Sequence, residues 1–310
     1  MSAGWVAVTV RSRALARRRL GRVAALELAA EPDLDSALSR LVRSPYGREV
    51  RPGMRLAEAE RAVVEAALWN VRVLTGWLPR QGVPLLRVLA GPVEAANVVD
   101  RLDHLHRGGG APPPTPYRLG ALGTTGLRHS TAATPQEVRL ALSRSPWGDP
   151  GGVSTREVSL ALRLTACARV AAVVPSARDW AAGAAALVAA REIAVGRVPL
   201  PARARDELAA VLGGRVVAAT SLADLVTALP GSAAWALDGV TGPEGLWLAE
   251  ARWWLRVERD ALRLSRRPTP GPEAAVGVAA VLAADAWRVR AALECAARHG
   301  RALEELDGVA

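Results

Sequence analysis

Apolar residues along this chain recur at steps of three and four residues, which is the spacing of one face of an α-helix. One such stripe runs through Leu56–Leu78 and a second runs through residues 93–106. The members are Ala59, Val63, Ala66, Ala67, Val71 and Leu74 in the first, and Ala96, Val99, Leu102 and His106 in the second. The pattern predicts a long helix over each segment.

Further helices are predicted where this periodicity is bounded by residues that start or stop a helix. Asp33 is placed to cap the N-terminus of one of them, and Ser44-Pro45 follows its end. The predicted segments are Val23–Ala30, Leu34–Arg43, Ser154–Val174, Ala177–Val195, Glu207–Leu212, Leu222–Leu229, Glu244–Leu264 and Glu273–Arg298.

The N-terminal segment Trp5–Leu20 is open to two interpretations. Its first valines alternate with other residues as in a strand, whereas the Arg-Ala-Leu run after them favours a helix. We favour the helix. With no convincing strand elsewhere, the pattern predicts an all-α fold without a significant sheet.

A short motif occurs twice, about a hundred residues apart. Leu41–Gly47 and Leu142–Gly148 share Leu, Arg, Ser, Pro and Gly in register, and the variable residue before the glycine is aromatic in both. A Leu-Gly pair precedes each copy, Leu20-Gly21 and Leu119-Gly120. A weaker third copy follows Leu212-Gly213 and ends near Trp235. Such recurrence predicts a fold built from similar units.

Segments rich in Gly and Pro mark the boundaries between these units. They lie at Gly108–Pro116, around Pro199–Pro201 and at Pro268–Pro272. The sequence therefore predicts three helical units, over residues 1–113, 114–200 and 201–310. We expect the last helix, residues 273–300, to pack back on the N-terminal helix.

Composition gives the net charge of the chain and predicts its cellular compartment. The net charge is +10, and every basic residue is Arg. A basic chain is typical of partners such as nucleic acid, anionic lipid or an acidic protein. Cys167 and Cys295 form no CxxC pair, which predicts buried thiols in a reducing compartment. Trp5–Val10 is too short for a signal peptide, and no apolar run reaches the length of a membrane span. We therefore predict a cytoplasmic protein.

The candidate chemistry is sparse. Gly123–Gly126 lacks the Gly-Lys-Ser/Thr that completes a P-loop. His104 and His106 would point about 200° apart on a helix, so they do not converge on one ion. His129 and His299 are isolated. These observations predict no catalytic, cofactor or metal site and no small-molecule substrate.

Several aromatic and basic residues are candidates for binding a partner: Tyr46, Trp147, Trp235, Arg11, Arg17 and Arg18. The aromatic residues of the repeated turn either anchor a partner or pack across the turn, and we favour packing. The N-terminal Arg cluster is either a solvated face or a contact to anionic headgroups or an acidic subunit. Trp247 and Trp254 lie seven residues apart, which fits a core stripe better than a ligand site.

The order of these motifs resembles the C (or d) subunit family of V/A-type rotary ATPases. The Leu-rich helix pair ending in Ser44–Gly47 matches the family's small-Tyr-Gly turn. Glu94–Val99 followed by Leu105–Gly108 matches its Asp/Glu-x-x-Asn-hydrophobic and Leu-x-Arg-Gly pattern. The expected asparagine is present only at Asn97, and the third turn is degraded.

The resemblance implies a fold and a function. Three helical units with pseudo-threefold symmetry would form a funnel between the membrane proteolipid ring and the central stalk. The chain would be a non-catalytic coupling subunit, without a cofactor, held at the cytoplasmic face of the membrane through its complex. The alternative is an Arg-rich helical repeat that binds nucleic acid or another acidic partner. The dispersion of Arg among Asp and Glu argues against nucleic acid.

Overall fold

The computed structural model describes residues 3–108, 114–125, 132–196 and 200–298, and in these ranges all regular structure is helical. The all-α prediction is confirmed. The α-helices are α1 (Ala3–Arg17), α2 (Gly21–Ala29), α3 (Leu34–Leu41), α4 (Leu56–Thr75), α5 (Val83–Leu89), α6 (Gly91–His106), α7 (Pro135–Ser143), α8 (Thr155–Val173), α9 (Arg178–Arg191), α10 (Ala202–Leu212), α11 (Gly214–Val217), α12 (Leu222–Ala228), α13 (Gly231–Ala234), α14 (Leu246–Ser265) and α15 (Pro272–Ala297).

Local sequence accounts for the ends of several of these helices. The Asp33 carboxylate accepts a hydrogen bond from the Ser36 amide, so the predicted cap of α3 is confirmed. Ser154 caps α8 in the same way, through the Glu157 amide. The segment with two interpretations at the N-terminus is helical, as α1.

The chain divides into two compact units. One comprises the residues up to Leu86 together with those from Trp254 onward, and the other comprises Arg87–Trp253. The sequence predicts three units from the repeated motif, whereas the two units of the structure are defined by compactness. The three-unit division stays a prediction.

In the first unit the long helix α15 packs against α1, α2, α3 and α4. Its buried residues are almost all Ala, Val, Leu or Gly, and small side chains allow neighbouring backbones to approach closely. At Gly277 a Cβ atom would lie 2.6 Å from the Ala261 carbonyl oxygen and 2.8 Å from the Ser265 nitrogen, both on α14. The two helices are therefore in backbone contact at this point.

We expect Gly277→Ala to lower the free energy of unfolding by about 1–3 kcal/mol, because the added methyl group meets backbone atoms that cannot rotate away. Urea unfolding followed by circular dichroism measures the change. Gly231→Ala is the matched control, since a Cβ atom there would meet no atom within 4 Å. Equal stability of the two variants would contradict the close approach of α14 and α15.

In the second unit the core lies among α8, α9 and α10, with α13 packed on α9. The buried side of α9 is mainly alanine, as in α15, and Gly183 lies against the rings of Trp235 and Trp253. Cys167 and Cys295 are buried free thiols, as predicted. Burial raises the pKa of the Cys167 thiol to about 12.

Two predictions about buried faces are wrong. Of the face predicted on α6, only Leu102 is buried. Glu94, Ala95, Asn97 and Val98 are buried in place of Ala96 and Val99, because two polar side chains turn inward to partners of their own. On α14 the predicted core residue Trp247 is 50% exposed. Leu246, Ala249 and Val257 occupy the buried side of that helix instead, and Trp254 stacks on Trp287 with ring centroids 5.9 Å apart.

No single helix in the described ranges is long and apolar enough to cross a membrane. By length and composition alone, Arg80–Leu89 and Gly91–His106 qualify as a pair, with a 50° bend between them. Several predictions fall outside the described residues: the linker at 109–113, the boundary at Pro199, Gly126, and the isolated His129 and His299.

Candidate functional site

The repeated motif folds into the same turn in both units. In the first copy the Ser44 hydroxyl donates to the Leu41 carbonyl (2.6 Å) and accepts from the Tyr46 amide (3.1 Å). In the second copy Ser145 makes the same bonds to Leu142 (2.7 Å) and Trp147 (3.1 Å). The sequence repeat is therefore a structural repeat, and the serine is the residue that closes the turn.

In the first unit the aromatic ring of this turn reaches a buried carboxylate, at a place we call the Asp285 junction. The Tyr46 hydroxyl donates to Asp285 Oδ2 at 2.8 Å. The amides of Leu20 and Gly21 donate to the same carboxylate at 2.9 and 2.8 Å. Asp285 is 1% exposed and lies in the middle of α15.

The Leu-Gly pair explains why this carboxylate lies at the start of α2. Gly21 has φ of +80°, a conformation that favours glycine, and it turns the chain into the helix with two amides unpaired by the helix itself. A carboxylate is the natural partner for these donors, because a helix N-terminus carries partial positive charge. Asp285 thus caps α2 from a helix far away in sequence.

A chain of ion pairs continues from the Asp285 junction. Arg288 lies 3.7 Å from Asp285 Oδ1 and forms a close ion pair with Glu258 of α14. Arg19 Nε lies 3.6 Å from the same Glu258. Burial, followed by the negative charge of Asp285, raises the pKa of Tyr46 well above its ordinary value. The phenol therefore stays a neutral donor.

The second unit contains a corresponding Glu94 junction. Trp147 Nε1 donates to Glu94 Oε2 at 3.0 Å. The amides of Thr124 and Thr125 donate to Oε1 at 2.6 and 2.7 Å, and the Thr124 hydroxyl donates to Oε2 at 2.7 Å. Glu94 is 1% exposed. As in the first unit, one aromatic donor and two successive amides hold one buried carboxylate.

The electrostatics of the Glu94 junction favour the charged carboxylate. Burial raises the pKa of Glu94, but the hydrogen bonds from Thr124, Thr125 and Trp147 outweigh it, and the net pKa is lowered. Arg169 lies over the Trp147 ring, 4.7 Å from its centroid. Burial lowers the pKa of Arg169, and the charge of Glu94 opposes that change.

One turn further along α6, Asn97 ties the segment around Tyr117 to the helix. Its amide nitrogen donates to the Tyr117 carbonyl at 3.0 Å, and its oxygen accepts from the Tyr117 amide at 2.7 Å. The side chain thereby satisfies both backbone groups of one residue, as a neighbouring strand would. Glu94 and Asn97 together fix the segment that leads into the second repeat.

The third copy keeps the aromatic residue but not the carboxylate. Gly183 lies against Trp235 in the way that Gly91 lies against Trp147. Three residues after Gly91 comes Glu94, whereas three residues after Gly183 comes Ala186, which is buried and apolar. Trp235 Nε1 donates to the nearby Ser232 carbonyl instead, at 2.7 Å.

The residues predicted to bind a partner fall into two groups. Tyr46 and Trp147 are 5% and 2% exposed, which favours packing across the turn. Arg17 and Arg18 are exposed, and Arg11 lies over the Trp77 ring. The sequence reasoning used Asp285 and Glu94 only as parts of family-like segments, and it predicted a structural role for neither. The sequence signal that could have identified both residues is an acidic residue within an apolar helix.

The chemistry of both junctions is that of structural ties. Each carboxylate oxygen already accepts at least one hydrogen bond, and the partners of each carboxylate come from segments distant in sequence. Among the described residues, no group of three or more His, Cys, Asp or Glu side chains is arranged to hold a metal ion. The arrangement holds helices and turns in fixed register.

A scan against models of known protein families found no match for this chain. A search of curated proteins likewise found no match.

Proposed function

We propose that this chain is a non-catalytic central-stalk subunit of a V/A-type rotary ATPase. It would form the socket that joins the membrane proteolipid ring to the central stalk. The observation that carries the proposal is the pair of junctions: two copies of one turn, each tied through its aromatic residue to a buried carboxylate. The all-helical architecture and the order of the motifs support the same assignment.

A subunit with this mechanical role must be rigid. It would transmit torque through the fit of its surfaces to its partners, so its helices must not slide against one another under load. Buried, fully hydrogen-bonded polar groups fix register because a shifted helix would leave them unpaired. Asp285 and Glu94 each have three or four donors at fixed positions, and they meet that demand in both units.

The proposal includes a pseudo-threefold funnel of three units. The contact between Gly183 and Trp235 matches that between Gly91 and Trp147, and it supports a third copy of the packing. The ring and stalk would dock on residues that are not buried, for which Trp235, Arg11, Arg17 and Arg18 are the candidates. Tyr46 and Trp147 would act inside the subunit by holding the turns. The chain would be held at the cytoplasmic face of the membrane by its complex.

The test is recovery of the tagged full-length chain from its native membranes after mild solubilisation. We expect mass spectrometry to identify proteolipid and central-stalk subunits in constant ratio to the chain. The purified chain alone should not hydrolyse ATP. The Tyr46→Phe variant is the control. It retains the turn but loses one hydrogen-bond donor, and its recovery with the partner subunits shows how far that recovery depends on a folded chain.

Two outcomes would overturn this assignment. One is substantial ATP hydrolysis by the chain alone. The other is reproducible recovery without proteolipid and stalk subunits, from membranes shown to contain an intact V/A-type complex. Recovery with nucleic acid, released by salt, would support the Arg-rich repeat instead.

A further inference from the structure

The outward face of α1 is apolar for most of its length and basic at its end. Its exposed positions before the last turn are Ala3, Val6, Val10 and Ala14, at steps of three and four residues. Val6 and Val10 are 44% and 61% exposed. Arg17 and Arg18 are the exposed residues that follow. The opposite side of the helix, including Trp5 and Val8, is buried in the first unit.

A half-exposed tryptophan lies beside this face. The Arg11 guanidinium stacks over the Trp77 ring, 3.5 Å from its centroid, which places the ring next to α1. Trp77 is 48% exposed. Val73, one turn earlier in the chain, is 43% exposed. Isolated exposed apolar residues need no explanation, but here they accompany an exposed helical stripe within one unit.

The charged residues of α1 and of the segment that follows it in sequence are all positive. Six arginines lie between Arg11 and Arg22, and the first acidic residue of the chain is Glu27. Arg13 donates to the Arg267 carbonyl, which does not neutralise its charge. Arg19 pairs with Glu258, whereas Arg17 and Arg18 project from the exposed end of α1.

We propose that this face of α1, with Trp77, binds the surface of a bilayer containing anionic phospholipid. Apolar side chains on one face of a surface helix enter the boundary between headgroups and acyl chains, and arginines bind the anionic headgroups. Tryptophan is favoured at the same depth because its ring is apolar and its N–H is polar. The inference does not depend on the proposed function.

The observations favour lipid over the other partners. A nucleic acid would use the arginines but would leave Val6 and Val10 without a role. A second copy of this chain would bring another net charge of +10 to a face that is already basic. A bilayer with anionic headgroups complements both the valines and the arginines.

The experiment is sedimentation of the full-length chain with vesicles of phosphatidylcholine alone or with about a third phosphatidylserine. We expect binding to the anionic vesicles, weakened by salt, and little binding to the neutral ones. Arg17→Glu/Arg18→Glu should lower the partition coefficient at least about 30-fold, since each arginine near an anionic surface contributes about a factor of five. Val6→Ser/Val10→Ser should lower it about tenfold or more.

The matched control is Arg43→Glu/Arg144→Glu, which changes the net charge by the same amount at two exposed positions that are not part of α1. It should retain most of the binding. Equal losses in the two charge-reversal variants would overturn the proposal, because binding would then follow net charge alone. So would binding that the valine substitutions leave unchanged, which would point to a soluble polyanion. Circular dichroism of each variant confirms that it is folded.

Discussion

Replacing Asp285 with alanine should lower the free energy of unfolding by about 3–5 kcal/mol. The substitution leaves two amides, of Leu20 and Gly21, and the Tyr46 hydroxyl without their acceptor in a place where water is excluded. It also removes one of the two carboxylates beside Arg288. Urea unfolding measures the loss, and amide hydrogen exchange at the start of α2 shows where it falls.

Two further substitutions establish that the loss comes from the junction. Tyr46→Phe removes one donor and leaves the backbone bonds to Asp285, so it should cost about 1–2 kcal/mol. Glu294→Ala removes a carboxylate from the same helix, α15, but its partner Arg298 is exposed, and the cost should be below about 1 kcal/mol. If Asp285→Ala were no more harmful than Glu294→Ala, the junction would contribute nothing to stability.

The helices were predictable because their signals are local. Periodicity over a few turns marks the apolar side of α4, and a side-chain cap such as Asp33 acts within three residues of itself. The repeated turn was predictable for the same reason, since Ser44 and Ser145 bond only to residues within three positions. These features need no knowledge of how distant segments meet.

The junctions were not predictable from the same signals. Tyr46 and Asp285 are separated by 239 residues, and Glu94 and Trp147 by 53. An acidic residue in an apolar helix interrupts the pattern, and the pattern alone does not reveal whether it faces solvent or a buried donor. If each aromatic residue of the repeat had been matched with an acidic residue inside an apolar helix, Asp285 and Glu94 would have been candidates for its hydrogen-bond acceptor.

Trp247 shows a different limit of periodicity. Two tryptophans at a seven-residue spacing lie on one side of a helix, but the pattern does not say which side faces the core. In α14 the smaller residues Ala249 and Ala261 are buried, whereas Trp247 is 50% exposed. Periodicity shows which residues share a side of the helix, whereas the choice of the buried side depends on segments distant in sequence.

Replacing Glu94 with glutamine should lower the free energy of unfolding by about 3–4 kcal/mol, although the side chain keeps its size. Each of the two carboxylate oxygens of Glu94 accepts two hydrogen bonds. An amide offers only one oxygen, so in either orientation its NH₂ group faces two donors. Glu250→Gln is the control in the same unit, because its partner Arg191 is half-exposed and the pair should contribute below about 1 kcal/mol.

The pH dependence separates loss of charge at Glu94 from a defect of shape. The pKa of Glu94 is lowered in the folded protein, so its contribution is complete above the unfolded value of about 4.3 and is lost as the pH falls through the folded pKa below it. The stability difference between the wild type and Glu94→Gln should therefore be constant above about pH 5 and shrink below about pH 4. A defect of packing alone would give a difference that does not change with pH. A difference for Glu94→Gln that persists at low pH would refute a charged carboxylate at this junction.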